Sequence, residues 1–171
     1  MTELSRPEPW LRGTLTEVSA VHRAVLHALQ LAAEDLGQWC SSLNADELNA
    51  RPSGIASVAF HVRHVSRSIN RLLTYAEGRQ LSDAEVATLK AEAETNAVPD
   101  VLFAELHEAL EDATRRIKAL VGYDLEAVRN VGRQSLPTTL GGLLVHIAEH
   151  TQRHVGQAIT TAKLVRVARQ D

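Results

Sequence analysis

Cysteine and aromatic residues are scarce in this sequence. Cys40 is the single cysteine, so the chain can form no internal disulfide. Aromatic side chains make up only 4% of the residues, whereas alanine, leucine and valine are frequent. Strands favour β-branched and aromatic side chains, and closely packed helices favour alanine and leucine. The composition therefore predicts an all-α protein.

Long apolar runs and concentrated positive charge are also missing. No stretch reaches the roughly 18 apolar residues that a membrane helix needs. The first ten residues, MTELSRPEPW, have neither the basic start nor the apolar middle of a signal peptide. The net charge is -3 and charges of both signs are interspersed, so no basic stripe could neutralise a phosphate backbone. We expect a cytoplasmic protein that binds neither membranes nor nucleic acid.

The length and the 44% hydrophobic content suit one domain, residues 1–171, with a core that needs no metal to fold. Pro7 and Pro9 predict an extended leader over residues 1–13. The TLTE stretch from Thr14 to Glu17 has the capping-box pattern of a helix start. It predicts a first long helix from about Leu15 to about Leu36.

A short capped turn of helix and a proline break are predicted between Asn44 and Pro52, in the stretch NADELNARP. Ser57 is the predicted cap of a second long helix, which Gly78 would end. The SDAE stretch from Ser82 to Glu85 is another capping box, and it heads a polar segment rich in Ala and Glu. This segment predicts a short surface helix in a crossover.

Two more long helices complete the pattern. Pro99 with Asp100 opens the third, and Gly122 ends it. After a predicted loop from Val131 to Pro137, Thr138 or Thr139 can cap the fourth, which runs from about Leu140 to about Val165. The sequence therefore predicts a four-helix bundle with a long crossover between its second and third helices.

Histidines carry the main chemical signal. Five of the eight fall in two short helical stretches, and they are His61, His64, His146, His150 and His154. On a helix, residues four apart lie about 40° and about 6 Å from each other, so two such imidazoles can point at one ion. The pattern predicts a divalent metal held by one histidine of the first stretch and two of the second.

Other interpretations of these residues remain open at this stage. Histidines four apart also occur on solvated helix faces, so spacing alone does not decide between a metal site and a polar surface. His22 could lie on the inner stripe of the first helix and line a pocket near the site. Gly156 costs about 1 kcal/mol in a helix relative to alanine. It either admits a closely packed neighbouring helix or is a tolerated defect.

Two segments resemble the DinB/YfiT-like superfamily of bacterial metal-binding bundles. The segment HTQRHVGQ, from His150 to Gln157, is similar to the H-x-x-x-H-x-G-Q signature of its last helix. The segment RPSGIASVAFHVRHV, from Arg51 to Val65, resembles the approach to its second helix, in which a ligand histidine follows a serine by seven residues. Seven residues after Ser57 is His64.

The resemblance implies a metal site made of His64, His150 and His154, with zinc or nickel as the ion. His61 and His146 each lie about one turn from an implied ligand and are alternative ligands, and Gln157 and His22 are candidates to line the pocket. Free histidine has a pKa of about 6.5, so such a site should lose its ion below about pH 6.

The resemblance also implies a function. The superfamily includes metal-dependent enzymes that use low-molecular-weight thiols, so we expect a thiol S-transferase or a hydrolase acting on a small molecule. No catalytic side chain can be assigned, because the nucleophile would arrive with the cosubstrate. The alternative is a non-catalytic metal-binding or stress-associated protein. Members of the superfamily often form homodimers, so a homodimer is possible here.

Overall fold

The computed structural model describes residues 6–90 and 96–168. These residues form six α-helices, one antiparallel hairpin and two short 3-10 turns. The elements are α1 (Ala20–Cys40), α2 (Ala45–Asn49), α3 (Val58–Ala76), α4 (Asp83–Lys90), α5 (Pro99–Ala119), β1 (Val128–Val131), β2 (Leu136–Thr139) and α6 (Leu140–Ala168), with 3-10 turns at Pro9–Leu11 and Pro52–Gly54.

The four long helices α1, α3, α5 and α6 form the predicted bundle. Helix α6 packs against α1 and α3, α3 also packs against α5, and α5 contacts α1. Hydrogen bonds from α6 to the Ala28 and Trp39 carbonyls show that α1 runs parallel to α6. Ion pairs from α5 to Glu77 and Arg67 show that α3 and α5 are parallel too. Parallel neighbours need a long connection, and α4 lies within it.

Leucine, isoleucine and valine from all four long helices fill the centre of the bundle. The largest fully buried side chains include one or more from each of these helices, namely Leu26, Leu29, Leu36, Ile69, Leu73, Leu102, Ile117, Leu140, Leu144 and Ile147. Each contributes about 1.5–3 kcal/mol on burial, which makes this core the main source of stability. The candidate metal ligands are not among the side chains of this core.

Most of the predicted helix boundaries are confirmed. Asn44 and Glu47 form a reciprocal capping box on α2, and Ser82 and Glu85 form one on α4. The Thr139 hydroxyl accepts from the Gly142 amide and so caps α6, as predicted. Residues 91–95, the rest of the polar crossover, lie outside the described part of the chain.

Ser57 caps α3, the helix that carries His61 and His64. Its hydroxyl accepts a hydrogen bond of 3.1 Å from the Phe60 amide. We expect Ser57→Ala to lower the free energy of unfolding by about 1 kcal/mol, because that amide loses its partner. Urea denaturation followed by circular dichroism would measure the change. Ser41→Ala, at an exposed hydroxyl that donates to the Gly37 carbonyl, is the matched control and should stay within about 0.5 kcal/mol of wild type.

The start of the first helix was predicted wrongly. Helix α1 begins at Ala20 and extends to Cys40, four residues beyond the predicted end near Leu36. Leu15, inside the supposed capping box, has φ +58° and cannot begin a helix. Tertiary contacts prevail here, since Val18 is buried and the Thr14 hydroxyl lies 3.2 Å from His27 Nε2. The leader is also not wholly extended, because Pro9–Leu11 forms a 3-10 turn.

The hairpin of β1 and β2 contains the whole segment from Val131 to Pro137 that the sequence predicted to be a loop. Val128 pairs with Thr139 and Val131 with Leu136. The Leu140 and Gly141 amides, at the start of α6, donate to the carbonyls of Ala127 and Leu125. Arg129 in turn donates to the Ala76 carbonyl at the end of α3. The hairpin thus joins the start of α6 to the end of α3.

No helix in the described ranges, residues 6–90 and 96–168, combines the length and the apolar character that a membrane crossing requires.

Candidate metal centre

Helices α3 and α6 run antiparallel and bring histidines from the two predicted stretches face to face. His64 Nε2 lies 3.5 Å from His150 Nε2. The ring of His154 lies 4.3 Å from that of His64 and 4.6 Å from that of His150, between centroids. One nitrogen from each ring lies within 4.8 Å of the others. The structure therefore places together the three residues that the resemblance singled out.

The three imidazoles fit a divalent cation by distance and by donor type. Tetrahedral ligands about 2.0–2.1 Å from zinc are separated from each other by roughly 3.3–3.4 Å. The His64 Nε2 and His150 Nε2 atoms, 3.5 Å apart, are already close to this separation. The other nitrogen pairs are at most 4.8 Å apart, so each would have to approach by about 1.5 Å or less. Three neutral nitrogen donors suit zinc, nickel and their neighbours better than magnesium or calcium.

Burial and neighbouring charges favour the neutral forms of His150 and His154. Burial, together with the neighbouring His64 and His146, lowers the pKa of His150 to about 4. Burial and the neighbouring imidazoles likewise lower the pKa of His154 to about 4. A neutral imidazole has the lone pair that a metal needs. In the described structure the buried His150 Nδ1 has no hydrogen-bond partner, so that nitrogen is not engaged by another group of the protein.

His61 contacts the cluster without belonging to it. It is only 6% exposed, and its Nδ1 lies 3.1 Å from Nδ1 of His154. One of the two nitrogens must donate and the other accept. If His154 donates, its proton is fixed on Nδ1 and its Nε2 is left to bind an ion. His61 is thus placed to orient His154 as a metal ligand. The sequence did not suggest this role, since it indicated His61 only as an alternative metal ligand.

His146, the other alternative ligand, lies one turn outside the cluster. Its side chain is 43% exposed, and its Nδ1 lies 2.8 Å from a carboxylate oxygen of Glu149. The structure therefore does not bring His146 together with His64. Glu149 itself points towards solvent, as expected for a residue about 100° around the helix from His150.

His22 is buried on the inner face of α1 as expected, but its contacts lie elsewhere. It is 1% exposed, with Nδ1 at 2.7 Å from the Ser19 hydroxyl and Nε2 at 3.2 Å from the Leu120 carbonyl. It therefore ties the start of α1 to the end of α5 and is not a member of the three-histidine group. The contacts of His22 described here are with Ser19 and Leu120 and not with the three histidines.

Gln157 and Gly156 line a cavity beside His61. No atom of another residue lies within 4 Å of the position that a Gly156 Cβ would take. The explanation that this glycine admits a closely packed helix is therefore wrong. Glycine at this position leaves one wall of the cavity open.

Comparison with known proteins agrees with the fold. The sequence model of the DinB superfamily matches residues 28–158, more than half of the chain. No curated protein gives a significant match. Among solved structures, YfiT from Bacillus subtilis superposes with a TM-score of 0.61 at 19% identity, covering 86% of this chain and 87% of YfiT.

YfiT is described as a probable metal-dependent hydrolase with an unusual four-helix bundle topology. At this level of identity the likeness concerns the fold. The sequence match extends through α3 and through the candidate ligands of α6. The chain belongs to the DinB superfamily.

Proposed function

We propose that this protein binds one divalent metal ion, zinc or nickel, through His64, His150 and His154, and uses it to act on a small molecule. The observation that carries the proposal is the convergence of these three imidazoles between α3 and α6. Three protein ligands leave a coordination position open, as in catalytic sites, whereas structural sites are closed by four.

The proposed reaction is transfer of a low-molecular-weight thiol to an electrophile. A bound ion of this class lowers the pKa of a coordinated thiol or water and so supplies a nucleophile near neutral pH. The protein offers no thiol of its own for this purpose. Cys40 is completely buried at the end of α1, and burial raises the pKa of its thiol to about 11. An external thiol would therefore provide the sulfur.

Hydrolysis is the second candidate, because YfiT, which shares the fold, is described as a probable metal-dependent hydrolase. The two reactions differ in their products. Zinc-loaded and nickel-loaded protein would be incubated with a panel of electrophiles and esters, with and without several thiols, and the products identified by mass spectrometry. Thiol adducts would support transfer, and acid or alcohol products formed without thiol would support hydrolysis.

We expect His150→Ala to abolish either activity, because it removes one of the three nitrogens. Activity that is unchanged in this variant would contradict both reactions. A third outcome, tight metal binding with no turnover of any compound, would favour a non-catalytic metal-binding protein.

His61 should matter for metal affinity although it is not a ligand. Loss of a hydrogen-bond partner of a ligand histidine typically weakens metal binding by about 10–100-fold. We expect this loss in His61→Ala, and partial recovery in His61→Gln, whose side-chain oxygen can accept from His154 Nδ1. Competition with a chromophoric chelator would measure both affinities. Equal affinities of the alanine and glutamine variants would show that His61 acts only by packing.

A further inference from the structure

A cavity of about 560 Å³ lies beside the candidate metal centre, and His61, which contacts His154, is one of its lining residues. Both polar and apolar side chains line it. Those that matter for its chemistry are Ile55, Ala56, His61, Arg153, Gly156 and Gln157. Arg153, Gly156 and Gln157 are exposed, so the cavity is accessible from solvent.

The charge around the cavity favours an anion. Arg153 is the charged side chain among its lining residues, and none of these residues is acidic. Within residues 6–90 and 96–168, no carboxylate lies within ion-pair distance of Arg153. Glu149, one turn earlier on the same helix, instead contacts His146 at 2.8 Å. The guanidinium is thus left for a carboxylate, which its planar donors match well.

Few hydrogen-bond donors line the cavity, and two of them are already bonded within the protein. The Thr160 hydroxyl donates to the Gly156 carbonyl, and the Thr161 hydroxyl donates to the Ala56 carbonyl. Both are therefore already used within the protein. The Gln157 side chain makes no hydrogen bond to any described residue, so its amide can join Arg153 in contacting a ligand. Ile55 and Ala56 offer apolar contact opposite these two.

Gly156 keeps one wall of this cavity open. An alanine methyl here would touch no other residue and would point into open space. Packing therefore does not require glycine at this position, and helix propensity disfavours it. The glycine leaves this wall of the cavity open to a ligand.

His61 connects the cavity to the metal centre, because it lines the cavity and lies 3.1 Å from His154. We propose that the cavity binds a small organic carboxylate, with Arg153 and Gln157 as its polar contacts and Gly156 providing the space. We further assign this carboxylate to the substrate or thiol cosubstrate, with its reactive end at His64, His150 and His154. Only this assignment rests on the proposed function.

The test is an NMR titration of the metal-free and the zinc-loaded protein with benzoate, and with benzamide as the uncharged counterpart. We expect benzoate to shift the amide signals of Ala56, Gly156 and Gln157 in a saturable way and to bind at least 10-fold more tightly than benzamide. Arg153→Gln should remove this preference. Gly156→Leu should abolish binding by filling the space.

A pair of alanine variants separates ligand space from helix stability. Gly156→Ala and Gly37→Ala both replace an open helical glycine, so both should raise the melting temperature. Only Gly156→Ala should weaken benzoate binding. Equal binding of benzoate and benzamide, shifts confined to other residues, or no effect of Arg153→Gln would each overturn the proposal. Binding in the metal-free protein is independent of the metal centre, so failure of zinc to bind would count against the proposed function alone.

Discussion

Replacing His150 with alanine should weaken zinc or nickel binding by more than about 100-fold. This loss exceeds the one that typically follows replacement of a residue that only hydrogen-bonds to a metal-ligating histidine. His150 supplies the nitrogen that already lies 3.5 Å from His64 Nε2, so its removal leaves two donors in place of three. His64→Ala and His154→Ala should have similar effects. Isothermal titration calorimetry, or competition with a chelator for the tightest binding, would measure the affinities.

His146→Ala is the matched control for this experiment. It removes an imidazole one turn away on the same helix, which is 43% exposed and pairs with Glu149. Its metal affinity should stay within a few-fold of wild type. If His146→Ala weakened binding strongly and His154→Ala did not, the ion would be held by His146 and His150, the other pair on α6. Circular dichroism should show an intact bundle in all these variants, because the core lies elsewhere.

Metal-free protein should lose stability as the pH falls from 6.5 to 4. The pKa of His150 and that of His154 are both lowered to about 4 in the folded protein, from an ordinary value of 6.5. Between these values the unfolded chain binds protons that the folded protein does not. The free energy of unfolding therefore falls as the pH decreases, and the contribution levels off below about pH 4.

The expected size of this effect is roughly 2–4 kcal/mol for the two histidines together, after allowance for solvent screening of half-buried groups. Urea denaturation at a series of pH values would measure it. The double variant His150→Asn with His154→Asn should lose this part of the pH dependence. His107→Asn, at an imidazole 73% exposed on α5, should retain it. The same slope in all three proteins would contradict the lowered pKa values.

The lowered pKa values also change the expected pH of metal release. An ordinary histidine pKa predicts release below about pH 6. Protons compete less well for His150 and His154, whose pKa values are about 4. We therefore expect half of the metal to be released closer to about pH 5. The sequence could not supply this correction, because it depends on how deeply α3 and α6 bury the rings.

Local signals in the sequence predicted most of the helix ends correctly. The capping boxes at Asn44 and Ser82 and the caps Ser57 and Thr139 depend on side chains that bond to amides two or three residues away. Such bonds form wherever the chain can turn, so the sequence alone predicts them. The TLTE pattern failed because Val18 and Leu15 pack against the core, and that contact requires residues distant in sequence.

The hairpin escaped prediction for a different reason. Its strands have four residues each, and exposed and half-buried positions do not alternate clearly in β2. Pro137 within β2 argued against a strand, yet an edge strand accepts proline where no ladder donor is needed. Its pairing depends on the start of α6 and the end of α3, which are brought together only in the folded protein.

The candidate site was predicted in part. Spacing within each histidine stretch follows from helix geometry, and the resemblance chose three residues out of five. The depth of burial, the contact between His61 and His154, and the cavity beside Gly156 depend on how two helices distant in sequence meet. No periodicity within one helix contains that information.

The hairpin that joins α3 to α6 also determines which histidines can meet. His146, His150 and His154 repeat at intervals of about one helical turn, so sliding α6 by about 5–6 Å along its axis would place His146 and His150 where His150 and His154 now lie. Backbone hydrogen bonds hold the first residues of α6 to Leu125 and Ala127, and Arg129 holds the hairpin to the end of α3. These anchors, about ten residues before His150, fix the axial register of α6 and select one of two equally spaced donor pairs.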